Sequence, residues 1–282
     1  MAHGQESLLQ KLISALDDPR NDIFVHMDSK VRGFNPSRFS CSHSKLTFIE
    51  RQSLHWGGPS LVFCEVRLLK AATQAGVYDY YHLLSGCDLP IKSQDYIHAF
   101  FDEHSGTEYV SFWKMHKSTW SRFLYAPLGE YGHNFLANFF NNICKGIQIG
   151  LGIKRNSDVD FRYGSQWFSI TDGLARLVVS KEDWIHKVFH HTCLCDEVFL
   201  QTITAGSEFY SKCASVEEGD GFSFASTMRF IDWTRNTSHR HPYVFRNDDY
   251  ELLTGLPWLF ARKFDERVDS QIVQRILSFI GR

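Results

Sequence analysis

Short apolar runs alternate with amphipathic stretches through the first third of the chain, and this alternation constrains the fold more than any other feature. The run at 22–27 (DIFVHM) ends on the polar Asp28, and the run at 78–84 (YDYYHLL) leads into a loop that contains Asp88. Apolar residues at helical spacing lie between them, most regularly over 59–75. Strands separated by helices predict an α/β fold with a mostly parallel central sheet flanked by helices. Because ligands collect at the carboxyl ends of such strands, we expect Asp28 and Asp88 at one rim.

The second half of the chain is less regular. The pattern predicts a strand over 167–171 and helices over 172–180 and 196–204. No Pro- or Gly-rich linker divides the sequence, so we expect a single domain over 1–282, with a C-terminal extension from about Ser215.

Composition excludes several functional classes. Thirty basic and 32 acidic residues give a net charge of −2, which argues against a protein that coats nucleic acid. Seven scattered cysteines suit reduced thiols better than a disulfide framework. No apolar run reaches the ~18–20 residues of a transmembrane helix, and the first residues lack the pattern of a secretory signal. We therefore expect a soluble cytoplasmic protein. Aromatic residues, at 15%, fit sugar binding or an aromatic-rich core.

Two short motifs suggest metal binding, but neither is complete. Asp158-Val159-Asp160 matches the D-x-D pattern that holds a divalent metal in many glycosyltransferases, yet it does not follow an early strand. The cluster over 190–195 (HHTCLC) lacks the two-residue spacer and the second ligand pair of a zinc site. We expect no metal. The motifs of serine hydrolases, P-loop kinases and Rossmann dehydrogenases are missing from the sequence.

Several segments, taken together and in order, resemble one enzyme family over nearly the whole chain. The resemblance is to the core-2/I-branching β-1,6-N-acetylglucosaminyltransferases, which include the peptide O-xylosyltransferases, and we expect a bacterial member. The segments are FVHMDSK (24–30), LHWGGPSLV (54–62), YYHLLSGCDLPIKS (80–93), YGSQWFSIT (163–171), CDEVFLQTI (195–203), FIDW (230–233) and LFARKFD (259–265).

This resemblance implies an inverting glycosyltransferase of GT-A-like fold. It would move GlcNAc or xylose from a UDP-sugar to a glycan hydroxyl, with no cofactor and no metal. The nucleotide-sugar half would span about 1–110, and the acceptor and catalytic half about 111–282. The segment similar to the family's catalytic motif makes Glu197 the general base. The family often has Pro where Cys195 stands, and Asp196 with Glu197 could instead simply begin a helix.

The resemblance also implies which cations face the leaving diphosphate. The matching positions are Lys263 and, by ungapped spacing, Arg240, with Arg262 as a neighbour that could substitute. Without a metal, fixed cations must balance the charge that develops on UDP. Each of these residues could instead be an ordinary solvated surface cation.

Three further positions carry a role in the resemblance. Asp28 matches a nucleoside-contacting residue, and Asp88 matches a residue near the donor sugar, although Asp88 could instead cap the segment that follows it. Trp233 matches an aromatic residue that stacks on the acceptor sugar, or it is a core tryptophan.

Alternatives stay open for the activity, for the location and for one segment of the chain. The chain could be a non-catalytic carbohydrate-binding or polysaccharide-assembly protein on the same fold. We expect a cytoplasmic enzyme of surface-polysaccharide synthesis, at the inner face of the membrane, with a Golgi luminal domain as the alternative location. The segment 134–155 combines apolar residues with Lys145, Lys154 and Arg155. It could rest on a membrane that carries lipid-linked glycan acceptors, or pack against the domain.

Overall fold

The computed structural model describes residues 1–127, 135–217, 225–236 and 241–281. Its α-helices are α1 (Glu6–Ala15), α2 (Ser60–Ala75), α3 (Gln94–Glu103), α4 (Lys117–Leu124), α5 (Phe135–Gly150), α6 (Asp172–Ser180), α7 (Glu182–Phe189), α8 (Phe199–Ala205), α9 (Tyr250–Gly255) and α10 (Ser270–Ile280). Its strands are β1 (Asp22–Val25), β2 (Lys45–Phe48), β3 (Tyr80–His82), β4 (Asp88–Pro90), β5 (Ser169–Thr171), β6 (Arg229–Ile231) and β7 (Phe260–Arg262). In the described part of the chain, no helix is long and apolar enough to cross a membrane.

The strands form three small sheets within these residues. Strands β1 and β2 pair in parallel, with Asp22 opposite Lys45. Strands β3 and β5 pair antiparallel, and β7 lies between an antiparallel β4 and a parallel β6. The mixed α/β class is confirmed, whereas a mostly parallel central sheet is not. The difference arises at the two antiparallel pairs, β3 with β5 and β4 with β7, where Asp88 lies opposite Arg262.

Contacts group the chain into two compact units. The first contains Met1–Gln52, Leu83–Gly106 and Phe224–Arg282, and the second contains Ser53–His82 and Thr107–Ser223. Each unit combines stretches that are far apart in sequence. The single domain with halves at 1–110 and 111–282 stays a prediction.

Helices α1 and α10 build the core of the first unit. Helix α1 packs against both α10 and β4. Leu8, Leu89, Phe264 and Ile272 are fully buried there, and each such side chain stabilises the fold by about 1.5–3 kcal/mol. Asp269 caps the start of helix α10, since its carboxylate accepts hydrogen bonds from the amides of Gln271 and Ile272, at 2.9 and 3.2 Å. This packing fixes β4 and β7, which carry two of the predicted site residues.

The second unit is built on α2 and α6, which pack against each other. Helix α6 has the bounds predicted from the sequence, and α2 begins one residue later than predicted. Three buried aromatic rings form a cluster beside them, with Phe161 centred 4.9 Å from Phe123 and 6.0 Å from Phe189. The predicted Glu197 lies in this unit.

Candidate active site

Asp196 and Glu197 lie in a single 3-10 turn, Cys195–Glu197, ahead of α8. The helix predicted over 196–204 therefore begins late. Val198 has a φ of −135°, which is not helical and separates the turn from α8. The two carboxyl groups are therefore not the first turn of a long helix, which was the alternative interpretation of this pair.

Two loops hold this turn from outside. The Leu194 amide donates to the Gly57 carbonyl at 2.8 Å, and the Gly164 amide donates to the Glu197 carbonyl at 2.9 Å. Gly164 also passes close to the Ser111 backbone, where only a residue without a side chain fits. A Cβ there would lie 1.9 Å from the Ser111 carbonyl oxygen. The WGG and YGS segments thus contact the backbone of this turn and of Leu194 before it.

The environment of Glu197 makes its carboxylate more basic than an ordinary one. The side chain is half-buried, so one part of it remains accessible. Burial raises the pKa of Glu197, and the negative charge of Asp196 raises it further. A hydrogen bond from the Tyr163 hydroxyl and the positive charge of Arg122 lower it. Burial also raises the pKa of Asp196. This arrangement suits a group that accepts a proton near neutral pH.

Glu65 is a carboxyl group that the sequence analysis missed. It is fully buried on α2, and its Oε1 accepts a 2.7 Å hydrogen bond from the side chain of Gln166. Its Oε2 has no hydrogen-bond partner among the described residues. Burial raises the pKa of Glu65, and the nearby charge of Asp196 raises it as well. The signal was present in the sequence, because Glu65 lies on the apolar stripe with Val62, Val66 and Leu69.

A second group of predicted residues lies in the first unit, around Asp88. The Asp88 carboxylate is buried and accepts from the Ser85 amide at 2.8 Å, from the Ser85 hydroxyl at 2.7 Å and from Arg262 at 2.8 Å. Asp88 therefore closes its own loop and anchors the Arg262 guanidinium. The fully buried Arg229 is also near Asp88. Burial lowers the pKa of Arg229 to about 9, and the negative charge of Asp88 partly opposes this shift.

His3 shows that Asp28 and Lys263 belong to the same group. Burial lowers the pKa of His3, the positive charges of Arg262 and Lys263 lower it further, and the negative charge of Asp28 opposes them. Asp28 is itself buried and accepts a 2.8 Å hydrogen bond from the Lys30 amide. The first unit thus gathers Asp28, Asp88, Arg262 and Lys263. His3 was not among the predicted site residues.

The remaining two predicted residues are Arg240 and Trp233. Arg240 lies outside the described residues. Trp233 is half-buried in a turn after β6, where the Asp232 carboxylate accepts from the Thr234 amide at 2.8 Å. Asp232 and Asp249 both bind Arg235, which braces this turn. The acceptor-stacking role of Trp233 stays a prediction.

The two metal-like motifs do not form a cluster within the described ranges. Asp158 and Asp160 are exposed, and Asp160 pairs with Arg162 at 2.7 Å. No three His, Cys, Asp or Glu side chains converge in the described part of the chain. Burial raises the pKa of the Cys193 thiol to about 11, and that of Cys195 rises as well. Metal independence of the chemistry stays a prediction.

Comparison with protein families places this site in context. The model of the Core-2/I-Branching enzyme family matches residues 1–256. The chain belongs to the Core-2/I-branching enzyme family. This confirms the family resemblance, whereas bacterial origin stays a prediction. The family match includes the carboxyl pair and ends before Arg262 and Lys263.

Curated relatives with similar sequences are xylosyltransferases by name. The chain is 24% identical to Xylosyltransferase sqv-6 of Caenorhabditis briggsae, over 95% of this chain and 34% of the relative. It is 22% identical to Xylosyltransferase 1 of Rattus norvegicus, over 99% of this chain and 35% of the relative. Xylosyltransferase 2 of Bos taurus is 22% identical, over 98% and 32%. The chain spans about a third of the length of these relatives.

Proposed function

We propose that this Core-2/I-branching family member is an inverting glycosyltransferase that transfers a sugar from a UDP-sugar to a glycan hydroxyl, on a GT-A-like fold. The observation that carries the proposal is the Asp196–Glu197 turn. A half-buried carboxylate with a raised pKa, held by two loops and a tyrosine hydroxyl, is suited to accept a proton from an acceptor hydroxyl. A protein that only binds sugars has no need of such a base.

In the proposed reaction Glu197 removes the proton of the acceptor hydroxyl. The acceptor oxygen then attacks the anomeric carbon from the face opposite UDP, and a new glycosidic bond forms. The bond between the anomeric carbon and the diphosphate oxygen breaks, and its electron pair leaves with UDP. Inversion follows from this single displacement.

Lys263 is the cation we assign first to the leaving diphosphate. Arg262 already donates to Asp88, so part of its charge is engaged within the protein. Lys263 is half-buried, and its positive charge lowers the pKa of the nearby His3. An ammonium group acts as a point charge on phosphate, and it can offset the negative charge that develops on UDP without a metal.

The donor sugar is the part of the proposal that the relatives inform. Their names favour UDP-xylose as donor, with UDP-GlcNAc as the second candidate. The β-1,6-N-acetylglucosaminyl activity remains a candidate on the same site.

A UDP-release assay tests the proposal. The chain is incubated with UDP-xylose or UDP-GlcNAc and a panel of glycan and glycopeptide acceptors, in excess EDTA. We expect acceptor-stimulated UDP release with one donor, and its loss in the Glu197→Gln variant. UDP-sugar binding without acceptor-dependent release would favour the non-catalytic binding protein. A strict requirement for manganese, together with loss of activity in Asp158→Ala, would overturn the metal-free mechanism.

A further inference from the structure

Helix α5 presents an apolar face to solvent. We define this face by Phe139, Phe140, Ile143, Ile147 and Leu151, the last just beyond the helix. They lie at helical spacing on one side, and between 44% and 68% of each residue's surface is exposed. Large exposed apolar patches on proteins generally mark an interaction site, because leaving them in water is unfavourable.

The opposite side of α5 is polar and faces the protein. Asn141 is buried there. The Gln148 side chain donates to the Ala126 carbonyl at 2.8 Å and accepts from the Ala126 amide at 2.9 Å. Lys145 donates to the Ser121 hydroxyl at 2.7 Å. A surface helix of a globular protein usually buries its apolar side, so the polarity of α5 is inverted. Its polar contacts hold the apolar face outward.

The charge around this face favours an anionic surface. Residues 131–157 contain no Asp or Glu, and the exposed Lys154 and the adjacent Arg155 follow the helix. Lys154 is exposed and lies close in sequence to the exposed Leu151. Phe, Leu and Ile on one face with basic residues nearby are the features of helices that lie in the interface of anionic membranes.

The size of the face argues against a second copy of this chain as its occupant. A helix of 16 residues is about 24 Å long, and its apolar face is about 10 Å wide. The face of one such helix is smaller than the ~800 Å² per partner of a stable protein interface. Insertion into a lipid interface needs no matching protein surface. We propose that the apolar face of α5 docks the protein on membranes that contain anionic lipids.

Vesicle sedimentation tests this docking independently of any transfer activity. The probes are vesicles of phosphatidylcholine alone and of an equal mixture of phosphatidylcholine and phosphatidylglycerol. The variant is Phe139→Asp with Ile143→Asp, which changes only exposed positions. The matched control is Val77→Asp, at an apolar residue that is 78% exposed and lies outside α5.

We expect the unchanged chain and the control to sediment with the mixed vesicles, and less with phosphatidylcholine alone. The α5 variant should lose at least about 10-fold in partitioning, because two apolar side chains can no longer be buried. Equal binding by the α5 variant, or no binding by the unchanged chain, would refute the proposal. So would a dimer in sedimentation velocity without lipid that the α5 variant dissociates, since the occupant would then be a second copy.

Discussion

Two opposing influences act on the Glu197 carboxyl group. Burial and the charge of Asp196 disfavour its ionised form, whereas the Tyr163 hydroxyl and Arg122 favour it. A more basic carboxylate accepts a hydroxyl proton more readily, but only the fraction that is ionised can act. The strength of the base therefore depends on single neighbouring side chains.

Removal of the Tyr163 hydroxyl should raise the pKa of Glu197. In Tyr163→Phe the ionised Glu197 loses a hydrogen bond, so its pKa rises, and the acidic limb of the pH–rate profile should move up by about one unit. The rate at high pH should stay within a factor of a few. Tyr96→Phe, at an exposed tyrosine of α3, is the control and should leave the limb in place. A limb that moves to lower pH would contradict the assigned hydrogen bond.

Glu65 should affect stability in a pH-dependent way. Its folded pKa lies well above 4.5, the ordinary value, so the unfolded chain ionises first as pH rises. Glu65 therefore destabilises the fold progressively from about pH 4.5 up to its own raised pKa. Glu65→Gln keeps an acceptor for Gln166 and removes this ionisation. Thermal unfolding from pH 5 to pH 8 should show that the variant gains stability relative to the unchanged chain. A constant difference in melting temperature across this range would contradict a raised pKa.

At the scale of elements, local pattern predicted the helices better than the turns or the sheets. Helix α6 has its predicted bounds because its apolar residues recur at helical spacing within one short segment. The predicted start of α8 was wrong because two hydrogen bonds hold the turn before it. The Gly164 amide donates to Glu197 and the Leu194 amide donates to Gly57, and neither contact is local in sequence. The pairing of β4 with β7 joins residues about 170 positions apart, which no local periodicity encodes.

The close passage at Gly164 gives a prediction about this turn. Gly164→Ala would place a methyl group 1.9 Å from the Ser111 carbonyl oxygen, so the loop against Glu197 must shift. We expect a loss of about 1–3 kcal/mol in stability, with a fall in transfer activity. Gly146→Ala is the matched control, since nothing lies within 4 Å of its added Cβ and alanine favours the helix. Thermal unfolding of both variants is the measurement. An unchanged melting temperature for Gly164→Ala would show that the loop does not pass where the structure has it.

At the scale of the whole molecule, the predicted functions fall in different units. Glu197 belongs to the second unit, and Asp28, Asp88, Arg262 and Lys263 belong to the first. The sequence predicted the family because its motifs occur in a specific order over nearly the whole chain. It could not predict that Asp88 and Arg262 form an ion pair, because that contact depends on the folded path of the chain.

This division predicts that nucleotide binding and proton removal respond to different substitutions. Lys263→Ala should weaken UDP binding by about 10- to 100-fold, because a charged contact to phosphate is lost. Lys45→Ala, at an exposed lysine of the same unit, should leave it unchanged. Isothermal titration calorimetry with UDP measures both. If the two variants bind UDP equally well, Lys263 does not contact the diphosphate.

The measurement that tests the central claim most directly is the pH–rate profile of Glu197→Gln, with UDP affinity measured in parallel. The substitution keeps size and hydrogen bonding but removes the group that accepts the proton. Transfer should fall by about 10²–10⁴-fold, the acidic limb should vanish, and UDP affinity should stay nearly unchanged. In the unchanged chain that limb should lie well above pH 4.5, since the pKa of Glu197 is raised. Transfer within a factor of a few of the unchanged chain, with the acidic limb still present, would show that the base is a different residue.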